Sequence, residues 1–396
     1  MAAEKKSAGF WSRISRNVRL LGLVSLFNDI ASEMLYPIIP VFLTAVLGAP
    51  VYIVGLIEGV AEAISNIIKF FAGWLSDKAQ SRKKFVAAGY ALSTVGKILY
   101  AVTFSWPAVL LARVTDRFGK GIRTAPRDAL IADSSDKRYL GASFGFHRAL
   151  DTTGAVVGPL LALLILLLFQ NNYRLLFAIA IVPSVLGLLL LVPVKEIRPK
   201  KSVFSFNLGQ LRMFSKELKL FLLITLVFAL GNSSDAFIIL KAKGIGYSLT
   251  AIVLLYTLYN VVYAVFSTPA GIIADKLGKA RTIAAGFFIF AAVYLGFAVF
   301  AKPLWLLFAI YGLYIALTDG VGKAYISQLA PSQLKGTALG IYAGATGIGT
   351  LVASALAGAL WTFVSPAAAF LLGTATALSA GLLMLFFLKG PSSFSS

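Results

Sequence analysis

The stretch GWLSDKAQSRKK, Gly73–Lys84, joins the end of one apolar run to the start of the next. Gly73 allows close helix approach, and Asp77 lies at the boundary of the first run. Four basic side chains follow, and they are too costly to place in hydrocarbon, so the turn must lie in water. The two flanking runs are therefore predicted to be membrane helices. The basic residues are Lys78, Arg82, Lys83 and Lys84.

A related stretch, GIIADKLGKAR at Gly271–Arg281, stands in the second half of the chain. Gly271 and Asp275 repeat the spacing of Gly73 and Asp77, and 275 minus 77 is 198. That offset is half of the 396 residues. A sequence pattern that recurs at an offset of half the chain length predicts two structural repeats.

The composition is that of a membrane protein. The chain is 59% hydrophobic and 13% charged, with a mean hydropathy of +0.85, whereas soluble domains carry about 25% charged residues. The net charge of +20 lies largely between apolar runs, where positive-inside topology explains it better than nucleic-acid binding. The chain has no cysteine, one histidine and four methionines, so we expect no metal, no cofactor and no nucleic-acid partner.

Apolar runs of about 20 residues or more are long enough to span a bilayer. Six precede and six follow the polar stretch 195–219. The first run ends without a small-residue cleavage site and is expected to be a span, not a signal peptide. The predicted spans are 20–47, 51–76, 85–104, 107–122, 143–169 and 173–194, then 220–240, 249–274, 282–300, 304–325, 337–363 and 367–388.

This pattern predicts an all-α integral membrane protein of about twelve transmembrane helices in two six-helix, pseudo-symmetric halves. The N-terminal half is 1–194, the cytoplasmic linker 195–219 and the C-terminal half 220–396. Basic loops alternate with turns of little charge, so we expect a multi-pass protein of the cytoplasmic (inner) membrane with both termini in the cytoplasm.

The loop at Gly73 resembles a signature of the major facilitator superfamily, G-x-x-x-D-[RK]-x-G-x-[RK]. Gly73, Asp77, Lys78 and Arg82 match it, and Gln80 stands where glycine is usual. The second copy keeps that glycine as Gly278. The resemblance implies a secondary transporter in which these loops act in conformational gating, through Gly73, Asp77, Lys78, Arg82, Gly271, Asp275 and Lys276.

The fifth helix resembles the antiporter signature of proton-coupled drug and metabolite exporters, G-x(8)-G-x(3)-G-P. Gly145, Gly154, Gly158 and Pro159 match it, while Ala162 and Leu163 replace a usual glycine pair. We expect the three glycines to let this helix approach its counterpart in the other half, and the proline to bend it. These four residues join the predicted gating set.

Embedded carboxylates need partners or a water-filled cavity. Asp29 and Glu33 lie one turn apart on the first helix, where two acids resist simultaneous ionisation, so they are the leading pair for a proton site. Arg113 or Arg117 is expected to pair with this site in one conformation. The alternative is that the acids only brace the bundle through ion pairs. The predicted proton-coupling residues are Asp29, Glu33, Glu58, Glu62, Asp151 and His147.

A polar stripe on the fourth helix, at three- and four-residue spacing from Arg113 to Arg127, predicts an inward face. Arg123 and Arg127, near its cytoplasmic end, are interpreted as topology signals or phosphate-level anchors. The second half has fewer buried polar groups, and its tyrosines either line the pathway or pack. The predicted substrate pathway is Asn28, Arg113, Arg117, Asn232, Asp235, Tyr256, Tyr259, Asp319 and Lys323.

The leading hypothesis is a secondary active transporter that moves a small organic solute by alternating access, as proton-coupled efflux. The alternative within transport is proton-coupled uptake of an organic anion or siderophore-like solute; outside transport it is a membrane receptor or scaffold. The chain has no P-loop and no recognisable nucleophile–base spacing, so we expect neither ATP drive nor an enzyme, and no catalytic residues. The expected partners are the solute, protons and the lipid bilayer, with the protein a monomer.

Overall fold

A computed structural model describes residues 14–136, 140–170, 172–197, 213–300, 304–331 and 334–388. Within these ranges, the side chains of Phe70, Asp77, 140–142, Lys335 and Gly336 are not described. Residues 198–212 of the predicted linker lie outside the described residues.

The described chain is a succession of helices that we number by predicted span. Those of the first half are α1a (Arg16–Leu35), α1b (Ile39–Val41, continued by a π-helix at Phe42–Val46), α2 (Val51–Lys78), α3 (Arg82–Ala101), α4 (Trp106–Asp133), α5 (Leu140–Leu168) and α6 (Tyr173–Leu190). Those of the second are α7a (Lys216–Ala229), α7b (Ala236–Gly244), α8 (Leu249–Leu277), α9 (Lys279–Val299), α10 (Leu304–Leu329), α11 (Lys335–Phe363) and α12 (Pro366–Phe387).

Nine segments of the described residues are long and apolar enough to cross a membrane by length and composition. The other three spans are less apolar or shorter. Helices α3 and α4 carry polar and charged residues, and the seventh span is divided into pieces of 14 and 9 residues. The prediction of an all-α membrane protein with about twelve spans is confirmed.

Two spans predicted as continuous helices are interrupted. The first is broken at Tyr36–Ile38, where Pro37 removes a backbone donor and disfavours the helical conformation of the residue before it. The seventh is broken at 230–235, whose sequence LGNSSD is rich in glycine and in short polar residues that compete for backbone hydrogen bonds. Since 36 plus 198 is 234, the two breaks fall at the same place in the repeat.

The described chain divides into two compact units. The first unit comprises the described residues of Met1–Leu35, Ile68–Thr103 and Thr115–Phe204, and the second those of Tyr36–Ile67, Phe104–Val114 and Ser205–Ser396. Two segments of the predicted N-terminal half, 36–67 and 104–114, thus belong to the second unit. The division of the chain into an N-terminal half 1–194, a linker 195–219 and a C-terminal half 220–396 stays a prediction.

The two units repeat one packing pattern. In the first unit α1a packs on α5 and α6, and α3 packs on α6. In the second unit α7a packs on α11 and α12, and α9 packs on α12. This packing is expected if each helix corresponds to the one six positions later, so it agrees with the internal repeat read from the sequence.

The turn after α2 has the backbone that the family signature implies. Gln80, at the usual glycine position, has φ 49°, and Gly278 in the second copy has φ 97°. Both values lie where glycine is favoured. The first turn of α3 is capped by Glu196, which accepts hydrogen bonds from the backbone N–H groups of Arg82 at 3.0 Å and Lys83 at 3.0 Å.

Candidate functional site

The close contact between α1a and α5 in the first unit depends on two glycines. A Cβ atom at Gly154 would lie 2.8 Å from the carbonyl oxygen of Leu26 and 2.9 Å from Cβ of Asp29. A Cβ atom at Gly158 would lie 2.9 Å from Cβ of Glu33. Neither site has room for a larger side chain, so the two glycines hold α5 directly against the acidic face of α1a.

This contact corrects the expected partner of the fifth helix. The glycines were expected to face the counterpart helix of the other half, but the nearest atoms to Gly154 and Gly158 belong to α1a. Their four-residue spacing matches that of Asp29 and Glu33, so the two helices interlock over one turn. A Cβ atom at Gly145 would meet nothing within 4 Å, so close approach at that position is not seen.

Asp29 meets a second carboxyl group across the same contact. Its carboxyl group lies within hydrogen-bonding reach of that of Asp151 on α5. The leading pair predicted from the sequence was Asp29 with Glu33, one turn away on the same helix. The structure instead pairs Asp29 with Asp151, because the glycine at 154 brings the two helices together at this level.

Asp151 lies at the centre of a polar network. The Ser25 hydroxyl donates to Oδ1 at 2.7 Å, and Arg148, three residues away on the same helix, donates to Oδ2 at 3.0 Å. Arg127 donates to Ser25 at 3.1 Å and lies 4.0 Å from Asp151. Arg127, whose side chain is 13% exposed, therefore belongs to this network, and its interpretation as a topology signal or phosphate-level anchor stays a prediction.

A second buried network in the first unit contains a residue that was absent from the predicted set. Lys97 on α3 is 1% exposed and lies 3.0 Å from Asp116 on α4. Arg123 is also buried; it donates to Ser93 at 2.5 Å and lies 4.6 Å from the Tyr90 ring. A guanidinium buried in this way is not available as a phosphate-level anchor, and the interpretation of Arg123 as a topology signal stays a prediction. Lys97 had a signal, since it is the sole charged residue inside the run 85–104.

The second unit has its own ion pair. Arg113 on α4 donates to Glu58 on α2 at 2.6 Å, and both side chains are buried. The Arg113 guanidinium also lies over the Tyr36 ring, 4.9 Å from its centre. From the sequence, Arg113 was expected to pair with the acids of the first helix, whereas the structure gives it an acid of the second.

Asp235 lies in the break between α7a and α7b and is bonded to two tyrosines. The Tyr311 hydroxyl donates to Oδ1 at 2.6 Å, and the Tyr259 hydroxyl donates to Oδ2 at 2.8 Å. Tyr256 packs edge-on against Tyr259 with ring centres 4.9 Å apart. Two of the predicted pathway tyrosines are therefore brought to the predicted carboxylate. Tyr311 was not in the predicted set.

The remaining polar candidates fall at separate places. Lys323 and Asp319 form an i,i+4 salt bridge at 2.7 Å, and Asn66 donates to Glu62 at 3.3 Å. Asn232 is partly buried in the α7 break, and Arg117 is buried on α4.

Asn28 and His147, both predicted site residues, carry buried polar atoms that have no hydrogen-bond partner among the described residues. The Asn28 side chain is 1% exposed and neither its nitrogen nor its oxygen is bonded within that part of the chain. The same holds for Nε2 of His147.

The predicted gating residues differ in the contacts that they make. Gly73 lies close to α4, where a Cβ atom would be 3.3 Å from that of Ala125, and Arg82 pairs with Asp133 at 2.5 Å. The Asp77 side chain lies outside the described residues. In the second copy a Cβ atom at Gly271 would meet nothing within 4 Å. Also in the second copy, Asp275 pairs with Lys279 at 2.9 Å, and Lys276 is exposed. In the first half, Lys78 lies 5.3 Å from the centre of the Trp74 ring, and Pro159 is buried within α5.

The family model described as Major Facilitator Superfamily matches residues 21–234 and 220–395. The chain belongs to the major facilitator superfamily. It is thus a multi-pass membrane transporter of this superfamily, and the expectation of superfamily membership drawn from the loop signature at Gly73 is confirmed. Members of this superfamily are transporters, which agrees with the interpretation of the chain as a non-enzyme.

Relatives within the superfamily differ in how much they resemble the chain. An MFS-type transporter of Methanocaldococcus jannaschii is 42% identical over 385 residues, 94% of this chain and 95% of the relative. The quinolone resistance protein NorA of Staphylococcus aureus is 26% identical over 341 residues, 83% of this chain and 85% of NorA. A crystal structure of the peptide transporter POT superposes with a TM-score of 0.78 at 14% identity, covering 94% of each chain. That last likeness concerns the fold alone.

Proposed function

We propose that this protein exports a small organic solute from the cytoplasm in exchange for protons, across the cytoplasmic membrane. The observation that carries the proposal is that the carboxyl groups of Asp29 and Asp151 lie within hydrogen-bonding reach of each other. A carboxylate only accepts hydrogen bonds, so two carboxyl groups bond to each other only when one of them holds a proton. A proton held inside a membrane bundle is what a proton-coupled transporter needs.

The hydrogen-bond directions support placing the proton on Asp29. Both oxygens of Asp151 accept bonds, one from Ser25 and one from Arg148. Asp151 is therefore the acceptor of the pair and Asp29 the donor. A conformation in which α5 and α1a were further apart would take this acceptor from Asp29 and make its proton exchangeable. A proton bound more tightly in one arrangement than in the other shifts the equilibrium between them.

Two further points favour export. The Gly154–Pro159 segment resembles the antiporter signature, and the 26%-identical NorA is named for quinolone resistance. Uptake of an organic anion was suggested by the basic stripe of α4. That alternative loses support because Arg113 and Arg127 of the stripe are bonded to carboxylates of the protein itself.

The test uses purified protein in proteoliposomes that contain a pH-sensitive dye. Ethidium, a quinolone and benzoate are added in turn, and the direction of proton movement is recorded. Export by antiport predicts that ethidium or the quinolone drives protons in the opposite direction to the solute. Benzoate carried together with protons would establish the uptake alternative instead.

The variant Asp29→Asn distinguishes proton coupling from transport of the solute itself. We expect it to abolish proton movement while solute counterflow, which needs no net proton transfer, continues. Glu217→Gln is the matched control, because Glu217 is an exposed carboxylate at the start of α7a. Equal loss of both activities in a folded Asp29→Asn protein would contradict the assignment.

A further inference from the structure

The basic turn between α2 and α3 uses its four cations in two ways. Arg82 pairs with Asp133, and the Lys83 ammonium donates to a backbone carbonyl oxygen just after α6 at 2.8 Å. Lys78 and Lys84 are exposed, and neither forms an ion pair within the described part of the chain. Two of the cations therefore hold the first unit together, and the other two are open to the surroundings.

Lys78 belongs to an exposed face at the end of α2. Four exposed side chains follow one another there at three- and four-residue spacing and so share one side of the helix, Phe71, Trp74, Leu75 and Lys78. The opposite side packs on α4 through Gly73, where a Cβ atom would lie 3.3 Å from the nearest side-chain atom of that helix. The exposed face therefore points away from α4.

This face reaches the boundary of the membrane. The part of α2 that is long and apolar enough to cross is Val51–Ser76, so Lys78 lies just beyond its end. Exposed apolar side chains of a transmembrane helix contact lipid chains, tryptophan rings favour the level of the headgroups, and lysine side chains extend to that level. The apolar pair of the face, its ring and its ammonium thus follow the order of acyl chain, interface and headgroup.

The Lys78 ammonium is held in place without being neutralised. It lies 5.3 Å from the centre of the Trp74 ring, which attracts a cation through its quadrupole but carries no charge. An ammonium has three N–H donors and no acceptor, and it binds phosphate oxygens as a point charge. A ring-bound ammonium at the membrane boundary is therefore available to a phosphate group of the surrounding lipid.

Two comparable lysines lack this arrangement. Lys84, on the other side of the turn, is followed one turn into α3 by two alanines. In the second copy of the loop, Lys276 corresponds to Lys78, but Ile272 stands where the first copy has tryptophan. Of these three lysines, Lys78 alone is combined with an aromatic ring and an apolar pair on the same helix face.

We propose that the face of Phe71, Trp74, Leu75 and Lys78 binds an anionic phospholipid. The lipid phosphate lies beside the Lys78 ammonium, the glycerol region lies against the Trp74 ring, and an acyl chain packs on the apolar pair. A zwitterionic lipid carries the same phosphate together with a positive group, so the ammonium favours it less. The inference names a lipid partner and does not depend on the solute or on proton coupling.

Fluorescence quenching by brominated lipids tests the site, because bromine quenches a tryptophan only at close range. The full-length protein keeps Trp74 as its single tryptophan when four others are replaced by phenylalanine, Trp11, Trp106, Trp305 and Trp361. This protein is reconstituted in mixtures of phosphatidylcholine and phosphatidylglycerol, with bromine on one lipid at a time. We expect an affinity about fivefold higher for phosphatidylglycerol, the ratio for one basic residue beside an anionic lipid surface.

Charge variants on the two sides of the turn make the test specific. Lys78→Gln is expected to abolish the preference, so that both brominated lipids quench equally. Lys84→Gln removes the same charge from outside the face and is expected to keep the preference. If the protein with one tryptophan is not monodisperse, the quenching that Trp74→Phe removes from the wild-type protein reports the same position. Equal quenching by both lipids without the charge variants, a preference that persists in Lys78→Gln, or its loss in Lys84→Gln overturns the inference.

Discussion

At the scale of single residues, Lys97 and Asp116 form an ion pair that is sealed from solvent. The Lys97 ammonium also lies 3.4 Å from the Ser93 carbonyl oxygen, and the Ser93 hydroxyl donates to the carbonyl oxygen of Asp116 at 3.1 Å. These bonds join α3 to α4 at a level where both charges are buried. The pair therefore holds its helices together only as long as both charges are present.

Removing one partner of such a pair leaves an uncompensated buried charge and costs about 3–5 kcal/mol. We expect Lys97→Met to lower the free energy of unfolding by that amount, measured by detergent-induced denaturation. Lys84→Met removes an exposed lysine from the same helix and is expected to change stability little.

The double variant Lys97→Met, Asp116→Leu is expected to recover most of the loss, since apolar replacement of a buried pair is often neutral or stabilising. If Lys97→Met is as stable as Lys84→Met, the pair does not act as a structural clamp.

The sequence allowed individual charges to be found more easily than their partners. Asp29, Glu58, Arg113 and Asp151 stand out because charges are rare in apolar runs. Arg113 was matched to the wrong helix, since side chains on any of several neighbouring helices are compatible with its spacing. A pairing depends on which helices touch, and one sequence without the fold does not contain that information.

At the scale of elements, the α1a–α5 contact joins the glycine pattern to the acidic pair. The carbonyl oxygen of Leu26 and the Cβ atom of Asp29 lie where a side chain at Gly154 would start. The spacing of Gly154 and Gly158 predicted a close helix contact, and that part is confirmed. The partner helix was wrong, because small residues identify an interface but not the surface that fills it.

The same substitution at two glycines of α5 is expected to have opposite effects. Gly154→Ala forces the helices apart, and overpacking of this kind costs about 1–3 kcal/mol. Gly145→Ala meets open space and gains helix propensity, so it should be neutral or stabilising by up to about 1 kcal/mol.

Thermal unfolding and proton-driven transport are measured for both variants. Reduced stability and coupling in Gly154→Ala, with Gly145→Ala near wild type, is the expected result. Wild-type behaviour of Gly154→Ala would mean that the tight contact is unimportant.

The interruptions of the first and seventh spans were also hidden at this scale. Pro37 and the LGNSSD segment are visible in the sequence, yet each lies inside a run that is long and apolar enough to be one helix. Hydropathy averages over about 20 residues and does not register a break of three to six residues. The positions of the two breaks are set by the local backbone chemistry of Pro37 and of the LGNSSD segment.

At the scale of the whole molecule, the repeat organises the chemistry as well as the fold. The bonded carboxyl groups lie in the first unit, and the tyrosine-bound carboxylate lies in the second. On the proposed function, proton coupling is a difference in the affinity for the proton between conformations. The twelve-span plan and the repeat were predictable because both depend on patterns along the chain, whereas the network partners depend on tertiary contacts.

The central claim is that Asp29 carries the proton that the transporter exchanges. Infrared spectroscopy of the purified protein measures it directly, because a protonated carboxyl group has a carbonyl stretch that a carboxylate lacks. We expect this band to be present at neutral pH in the wild-type protein and to be missing from Asp29→Asn. A band that persists unchanged in folded Asp29→Asn would contradict the assignment.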